Sequence, residues 1–225
     1  VGISEARALG RGGERHVATI LWDQEKIYDS IDIAKLIERA VDMDYPTRCL
    51  WLGLQMHMAP RLIKARDAYA MADLPANGII AGCTQSNTFA RILLHRIMEQ
   101  RYNDPKHPGE ERLLRQYVDD LRQSFAHNKG RKIIRIATQQ GAALAGDCVG
   151  VGCRISPKSV VVANHNTIAR GIVKGLKDRG ISVKAVKVGK DLGVSTTAGR
   201  RRTINLLRQR ITGTKCRVMR IRVLT

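Results

Sequence analysis

The chain has 225 residues and is strongly basic, with 39 Lys and Arg against 20 Asp and Glu and a formal net charge of +19. An apolar content of 44% allows a packed core and argues against a wholly disordered basic arm. No apolar run approaches the roughly 18 residues of a membrane span, and the first ten residues lack a signal-peptide layout.

The first half of the chain alternates short strands with amphipathic helices. ATILW at 18–22 is typical of a buried strand, and apolar residues from Ile33 onward recur at helical spacing. The segment 47–58 predicts a second helix, which should be buried because most of its sides are apolar. Residues 61–75 favour a hairpin, and 86–100 favour a helix.

The second half continues this pattern after a polar loop at 102–111. The sequence predicts two strands within 112–126, a helix, a strand, a helix capped by Asn166, another strand at 182–188 and a basic helix at 200–210. Strands that return as antiparallel neighbours beneath two or three helices indicate an α+β fold.

The five cysteines are odd in number and irregularly spaced. Cys148 and Cys153 are too far apart for a C-x-x-C pair, and no histidine pair follows at zinc spacing. We therefore expect a reduced intracellular compartment and no structural zinc.

Positive charge is concentrated in the C-terminal third. Residues 1–147 contain 21 Lys and Arg and 18 Asp and Glu, a balance of +3, whereas 148–225 contain 18 and 2, a balance of +16. No acidic residue follows Asp191. This asymmetry favours a nucleic-acid partner, although a solubilising face or attraction to anionic lipid would have the same composition.

Three segments have the residue types that a nucleotide-polymerising site needs. In WDQEKIYDS an aspartate, Asp23, is followed by Tyr28 and Asp29, five and six residues later. GIIAGCTQS at 78–86 predicts a Gly-Cys turn that opens a helix, and YVDD at 117–120 places two aspartates at the bend of a hairpin.

Together these segments resemble the palm of a reverse transcriptase, most closely those of non-long-terminal-repeat retroelements and group II introns. The resemblance covers about residues 18–210. It includes two weaker motif similarities, RISPKS at 154–159 and KDLGV at 190–194. It implies an α+β polymerase palm with an antiparallel sheet, helices packed on one face, and a partial helical thumb.

The resemblance implies that three aspartates hold two Mg²⁺ ions, or Mn²⁺ in their place, at the catalytic site. These aspartates are Asp23, Asp119 and Asp120. Two-metal phosphoryl transfer requires hard oxygen ligands, which carboxylates supply. The residues alone leave another interpretation open, because Asp is also common at hairpin bends.

Nucleotide-binding roles are implied for four residues: Tyr28, Gly82, Cys83 and Ser86. A flat ring at Tyr28 would reject a 2′-hydroxyl and favour deoxynucleotides, although an ordinary core aromatic would look the same. The family usually has Gln at the position of Ala81 and Pro at that of Thr84, which puts the nucleotide contacts in doubt. A plain loop-to-helix turn remains the alternative for Gly82 and its neighbours.

The basic residues supply two further assignments. Lys158 aligns with a family lysine that protonates the leaving pyrophosphate, although a solvated surface lysine fits equally well. A thumb helix that follows the duplex phosphates would use five arginines: Arg200, Arg201, Arg202, Arg208 and Arg210. A generic basic helix would have the same composition.

These features divide the chain into a remnant of the fingers at 1–17, a palm at 18–195 and the basic start of a thumb at 196–225. The predicted function is template-directed DNA synthesis by an RNA-directed DNA polymerase, a nucleotidyltransferase, within a retroelement polyprotein. Its partners would be an RNA template, a DNA primer and deoxynucleoside triphosphates, with no membrane. The alternative is an inert basic nucleic-acid-binding protein that keeps the palm fold. Tyr28 disfavours an RNA-templated RNA polymerase, and the oligomeric state is not indicated.

Overall fold

The computed structural model describes residues 15–72, 75, 77–103, 111–117, 120–191, 194–197 and 211–212. Its strands are β1 His16–Trp22, β2 Gln24–Glu25, β3 Arg61–Ala65, β4 Ala68–Ala72, β5 Glu111–Tyr117, β6 Asp120–His127, β7 Arg154–Ile155, β8 Val160–Ala163, β9 Lys184–Ala185, β10 Val188–Asp191 and β11 Val194–Thr197. Its helices are α1 Ile27–Ser30, α2 Ile33–Asp42, α3 Thr47–Met58, α4 Ser86–Tyr102, α5 Gly130–Gly150 and α6 Asn166–Lys177, and residues 211–212 are also helical.

Strand β1 lies at the centre of a five-stranded sheet with the order β5-β6-β1-β8-β9. Its sequence HVATILW is rich in β-branched and apolar residues, and all of it except His16 is buried. β1 runs antiparallel to both β6 and β8, β5 runs antiparallel to β6, and β9 is parallel to β8. The sheet is therefore mostly antiparallel, which confirms the predicted α+β class.

Helices α4, α5 and α6 pack on one face of this sheet. Side chains alternate along β1, so Ala18, Ile20 and Trp22 all point to this face and are buried. Gly141 of α5 lies over them, because a Cβ there would come within 3.0 Å of Ile20 and 3.3 Å of Trp22. Inside this core Trp22 Nε1 donates a hydrogen bond of 2.9 Å to Gln123 Oε1, which ties β1 to β6.

The hairpin β10–β11 covers part of the opposite face. Its Gly189 approaches the sheet closely, since a Cβ there would lie 2.7 Å from Leu21 Cδ1 and 3.0 Å from Val162 Cγ2. Leu21 is on this face because it alternates with Trp22, and the same alternation assigns Asp23 to this face. One face of β1 therefore packs in the core beneath the helices, and the other is the face on which the predicted site lies.

The environment predicted for α3 is wrong. The helix has the expected bounds, but only one of its sides is buried, through Leu50, Gly53, Leu54 and His57. These positions follow i, i+3, i+4 and i+7 spacing, so a single stripe faces the rest of the protein. Elsewhere on the helix Leu52 is 67% exposed.

Two smaller expectations also change. Asn166 is the first residue of α6 rather than its cap, and His165 occupies the cap position without a side-chain hydrogen bond. The strand predicted at 182–188 shortens to β9, because the chain leaves the sheet there and returns as β10 in a separate hairpin. The basic helix predicted at 200–210 lies outside the described residues.

Within the described ranges, none of the helices combines the length and apolarity needed to cross a membrane. Asp32 is the N-cap of α2, where its carboxylate accepts hydrogen bonds from the backbone N–H groups of Ala34 and Lys35.

Two glycines of the packed helices should respond in opposite ways to alanine. A Cβ at Gly175 of α6 would lie 2.7 Å from Thr138 Cγ2 and 2.8 Å from its Oγ1, on a stiff β-branched side chain of α5. A Cβ at Gly146, exposed within α5, would meet nothing within 4 Å. Gly146→Ala should therefore raise the free energy of unfolding by about 0.5–1 kcal/mol, whereas Gly175→Ala should lower it. Urea unfolding of both variants measures this, and equal stabilisation by the two would contradict the close packing of α5 on α6.

Candidate functional site

The antiparallel register of β1 and β6 brings two of the predicted aspartates together. Leu21 pairs with Arg122 and Trp22 with Leu121, which form the last pairs of this ladder. Asp23 directly follows Trp22 and Asp120 directly precedes Leu121, so both aspartates lie at the same end of the sheet. Across the hairpin, Asp120 pairs with Tyr117 of β5. Two carboxylates that are 97 positions apart in the sequence thus share one end of the sheet. Asp119, the third predicted ligand, lies outside the described residues.

The main chain of Asp23 is fixed by the segment before β8. The Asp23 N–H donates to Ser159 Oγ at 3.0 Å, and the Ser156 N–H donates to the Asp23 carbonyl at 2.8 Å. Lys158 lies between these serines, exposed at the turn, where its N–H donates to Ser156 Oγ at 3.2 Å. The predicted lysine segment therefore lies directly beside Asp23, and the sequence analysis missed the two serines that hold it there.

A buried cation lies on the face that carries these aspartates. Arg122 is two residues from Asp120 along β6, so both belong to the same face, and Arg122 is only 8% exposed. Its neighbour Ser124 lies 3.0 Å from Thr19 through their hydroxyl oxygens.

The segments around Tyr28 and Gly78 form one backbone unit. The Gly78 N–H donates to the Ile31 carbonyl at 2.8 Å, and the Ile79 N–H donates to the Tyr28 carbonyl at 2.7 Å. Gly78 has a φ of 86°, and a Cβ there would lie within 3.0 Å of the Asp29 and Tyr28 main chain, so only glycine fits. The first and second motifs are therefore in direct contact.

The Gly-Cys turn has the backbone that its sequence predicts. Gly82 has a φ of 87° and open space where a side chain would stand, so its requirement for glycine is conformational. The Ile80 carbonyl accepts from the Cys83 N–H at 3.3 Å and from Ser86 Oγ at 2.5 Å. Ser86, at the first residue of α4, is fully buried and fastens the turn to the helix.

Tyr28 reaches across to α4. Its hydroxyl donates a hydrogen bond of 2.8 Å to Asn87 Oδ1, while its ring packs partly buried against the core. The ring is therefore held in one orientation beside the Gly-Cys turn. Asn87 was not identified from sequence, because the pairing joins residues 59 positions apart.

His57 supports the turn from the side of α3. It is fully buried, its Nδ1 accepts the Ile80 N–H at 3.0 Å, and its ring meets Phe89 edge-on with centroids 5.6 Å apart. Burial, and then the positive charge of Arg61, lower its pKa. The imidazole is therefore neutral at pH 7 and can accept this hydrogen bond, so α3 holds the start of the turn.

The buried thiols of Cys148 and Cys153 are unreactive at neutral pH. Burial raises the pKa of Cys148 to about 12 and that of Cys153 to about 11. Both thiols stay protonated at neutral pH, which is unsuited to metal binding or nucleophilic attack.

The donor set at the end of β1 suits a hard cation. Asp23 and Asp120 offer carboxylate oxygens, the ligand type that Mg²⁺ prefers. Among the described residues no group of three His, Cys, Asp or Glu side chains is placed to hold a metal ion. The five thumb arginines, Arg200, Arg201, Arg202, Arg208 and Arg210, lie outside the described residues.

No protein-family model and no curated protein matches the chain, but solved telomerase structures from Candida tropicalis do. Telomerase bound to a TWJ fragment of telomeric RNA matches with a TM-score of 0.61 and 12% identity, over 90% of this chain and 32% of that one. Apo telomerase truncated from its C-terminal domain gives 0.60 and 12%, over 87% and 36%. Full apo telomerase gives 0.56 and 13%, over 84% and 33%.

This likeness establishes the fold. The mixed sheet and its helices match the polymerase fold of telomerase over most of this chain. The chain spans about a third of the length of the telomerases it matches. The predicted α+β fold of polymerase type is thereby confirmed, while the palm and thumb boundaries and the roles of individual residues stay predictions.

Acidification should weaken the fold through His57. Because its pKa is lowered in the folded chain, its contribution to stability is complete above its ordinary pKa of 6.5 and is lost as the pH falls through the lowered value. His57→Asn keeps an acceptor near the Nδ1 position but cannot titrate. Between pH 7.5 and 5, the melting temperature of the wild type should therefore fall more steeply than that of His57→Asn. Parallel falls in the two proteins would show that His57 does not carry this dependence.

Proposed function

We propose that this chain is the catalytic palm of an RNA-directed DNA polymerase of retroelement type. The observation that carries the proposal is the register of β1 and β6, which brings Asp23 and Asp120 to the same end of the sheet, within a fold that matches the telomerase polymerase. The turn that contains Lys158 lies beside Asp23. Tyr28 of α1, five residues after Asp23, contacts the segment that leads into the Gly-Cys turn, so the predicted metal, nucleotide and leaving-group residues lie on neighbouring segments.

Asp23, Asp119 and Asp120 would hold two Mg²⁺ ions, or Mn²⁺ in their place. Such ions stabilise charge on the attacking and leaving oxygens of a phosphoryl transfer. The contribution of the chain is to fix the ligands: Ser156 and Ser159 hold the main chain of Asp23, and strand pairing holds Asp120. The buried Arg122 on the same face would offset part of the repulsion between these carboxylates.

The Gly-Cys turn would position the incoming nucleotide. Gly82 leaves open space at its Cα, so a base pair or sugar can approach the backbone there. Ser86 Oγ donates to the carbonyl of Ile80 and His57 Nδ1 accepts its N–H, which keeps the turn in place for binding. The ring of Tyr28, oriented by Asn87, would clash with the 2′-hydroxyl of a ribonucleotide and so favour deoxynucleotides.

Lys158 would serve the leaving group. It is exposed at the turn whose serines hold Asp23, and an ammonium there could donate a proton to the departing pyrophosphate. Template and primer would contact the basic C-terminal third, where the balance of charge is +16. An RNA fragment is bound to one of the matching telomerases, which supports a nucleic-acid partner here.

The same charge distribution supports a second candidate, a palm that binds nucleic acid without catalysis. Binding to phosphates needs only the cations, whereas extension needs the aspartates as well. Loss of metal binding and of extension on aspartate substitution therefore separates the two candidates.

Replacing Asp23 or Asp120 by Asn should weaken Mn²⁺ binding, because each amide removes one ligand charge with little change in shape. We expect the affinity for Mn²⁺ to fall at least about tenfold. Loss of a residue that only hydrogen-bonds to a metal ligand already has an effect of that size. Electron paramagnetic resonance of Mn²⁺ measures this directly, with the exposed Asp178→Asn at the end of α6 as the matched control.

The same proteins should be assayed for extension of a DNA primer on RNA with Mg²⁺ and deoxynucleotides. Whatever extension the wild type supports should persist in Asp178→Asn and be lost in Asp23→Asn and Asp120→Asn. Unchanged metal binding in the last two would reject the proposed site. Metal binding and duplex binding without any extension would favour the inert palm.

Substitution of Tyr28 should change the choice of sugar. Tyr28→Ala removes the ring and should bring GTP binding close to that of dGTP, whereas Tyr28→Phe keeps the ring and loses only its hydrogen bond to Asn87. Competition between labelled dGTP and GTP in the presence of primer and template gives the two affinities. Discrimination that survives in Tyr28→Ala would show that this ring is a core aromatic and not the barrier to ribonucleotides.

A further inference from the structure

The segment between the first two motifs exposes far more apolar surface than the rest of the described chain. It consists of α3 and the hairpin β3–β4, residues 47–72, here named the helix–hairpin unit. Fifteen large apolar side chains are exposed in the described residues. Eight of them belong to this unit: Trp51, Leu52, Met56, Met58, Leu62, Ile63, Tyr69 and Met71.

Helix α3 has the composition of a buried helix. Its inner stripe packs toward α4, yet Trp51 and Met58 on one flank and Leu52 and Met56 on the outer sides are 44–67% exposed. A helix that is apolar on all sides is normally enclosed by other elements. The sequence prediction that α3 is buried was therefore wrong for the chain by itself, and it points to a surface that a partner covers.

The hairpin β3–β4 also exposes apolar side chains, on both of its faces. Leu62 pairs with Met71 and Lys64 with Tyr69, so these four share one face, while Ile63 lies on the other. Every residue of β3 is exposed, and β3 and β4 form a two-stranded sheet. A two-stranded ribbon with apolar side chains on both faces gains little stability in water, so contact with another surface would stabilise it.

The unit is nevertheless fixed to the body of the protein. Leu50 and Leu54 are at most 2% exposed, and His57 accepts the Ile80 N–H at 3.0 Å. Its apolar sides are thus presented in a defined arrangement, which suits recognition of a partner.

The charges of the unit indicate what kind of partner fits. Its exposed cations are Arg48, Arg61, Lys64 and Arg66, and its exposed acid is Asp67. A second copy would place two patches of the same positive charge against each other, because a two-fold interface uses one patch on both subunits. Nucleic acid would match the cations but would leave Leu, Ile and Met side chains against phosphate and water. An apolar protein surface with an acidic rim satisfies both features.

We propose that the helix–hairpin unit is a docking surface for a separate acidic protein segment with an apolar face, such as an amphipathic helix. Leucine-like side chains of that segment would pack on α3 and on the Leu62–Met71 face of the hairpin. Its carboxylates would meet Arg48, Arg61 and Lys64 at the rim. The proposal does not depend on polymerase activity.

The two tryptophans of the chain make the test direct. Trp22 is 2% exposed and Trp51 is 53% exposed, so acrylamide quenching of fluorescence reports mainly on Trp51. The probe is a helical peptide with leucines on one face and glutamates on the other, and its control has lysines in place of the glutamates. The glutamate peptide should protect Trp51 from quenching and bind about tenfold tighter than the lysine peptide, and the difference should shrink in high salt.

Two exposed apolar residues give a matched pair of variants. Leu52→Ser in the unit should weaken binding of the glutamate peptide, whereas Val149→Ser on α5, where the side chain is 61% exposed, should not. Equal melting temperatures would show that both variants fold. The proposal is overturned if both peptides bind equally, or if Val149→Ser weakens binding as much as Leu52→Ser. Protection of Trp51 by single-stranded RNA alone, or by dimerisation of the chain, would also overturn it and identify the other occupant.

Discussion

The antiparallel placement of β1 between β6 and β8 is the constraint on which the rest of this structure depends. Pairing with β6 brings Asp23 and Asp120 to the same end of the sheet, and the segment that leads into β8 holds the Asp23 main chain through Ser156 and Ser159. A slip of one residue in this register would move Asp23 to the other face of the sheet. The core side chains Ile20 and Trp22 prevent such a slip, because it would expose them.

The candidate site consists of two parts that are fixed by different forces. The aspartates are placed by strand pairing within the sheet. The Gly-Cys turn is held by two hydrogen bonds at Ile80: its carbonyl accepts from Ser86 Oγ, and its N–H donates to His57 Nδ1. The short backbone ladder between Tyr28–Ile31 and Gly78–Ile79 joins the parts, and Gly78 permits this close approach. Because the hydrogen bond to His57 requires a neutral imidazole, we expect the position of the turn to depend on pH.

The helix–hairpin unit connects the site to a surface that the chain leaves uncovered. The inner side of α3 includes His57, which contacts the turn, and its outer sides are apolar and exposed. A partner on these outer sides would therefore contact the same helix that holds the Gly-Cys turn through His57. The likeness to telomerase describes the fold, and the chain matches about a third of the telomerase length. At 12–13% identity, this likeness concerns the fold and not the individual side chains.

The sequence by itself determined the elements and their class. Periodicity gave β1, α2, α4 and the hairpin β5–β6 close to their observed bounds, because local hydrophobic spacing and turn residues act over a few positions. Motif order also indicated that Asp23 and the YVDD hairpin belong together. Only the tertiary structure decided which groups meet across long separations: Tyr28 with Asn87, His57 with Ile80, and Ser159 with Asp23. It also decided that the outer sides of α3 are exposed. An apolar pattern indicates that a helix tends to be buried, but it does not say whether another element of the same chain packs on it. Such contacts depend on where separate elements lie in space, which no local pattern in the sequence specifies.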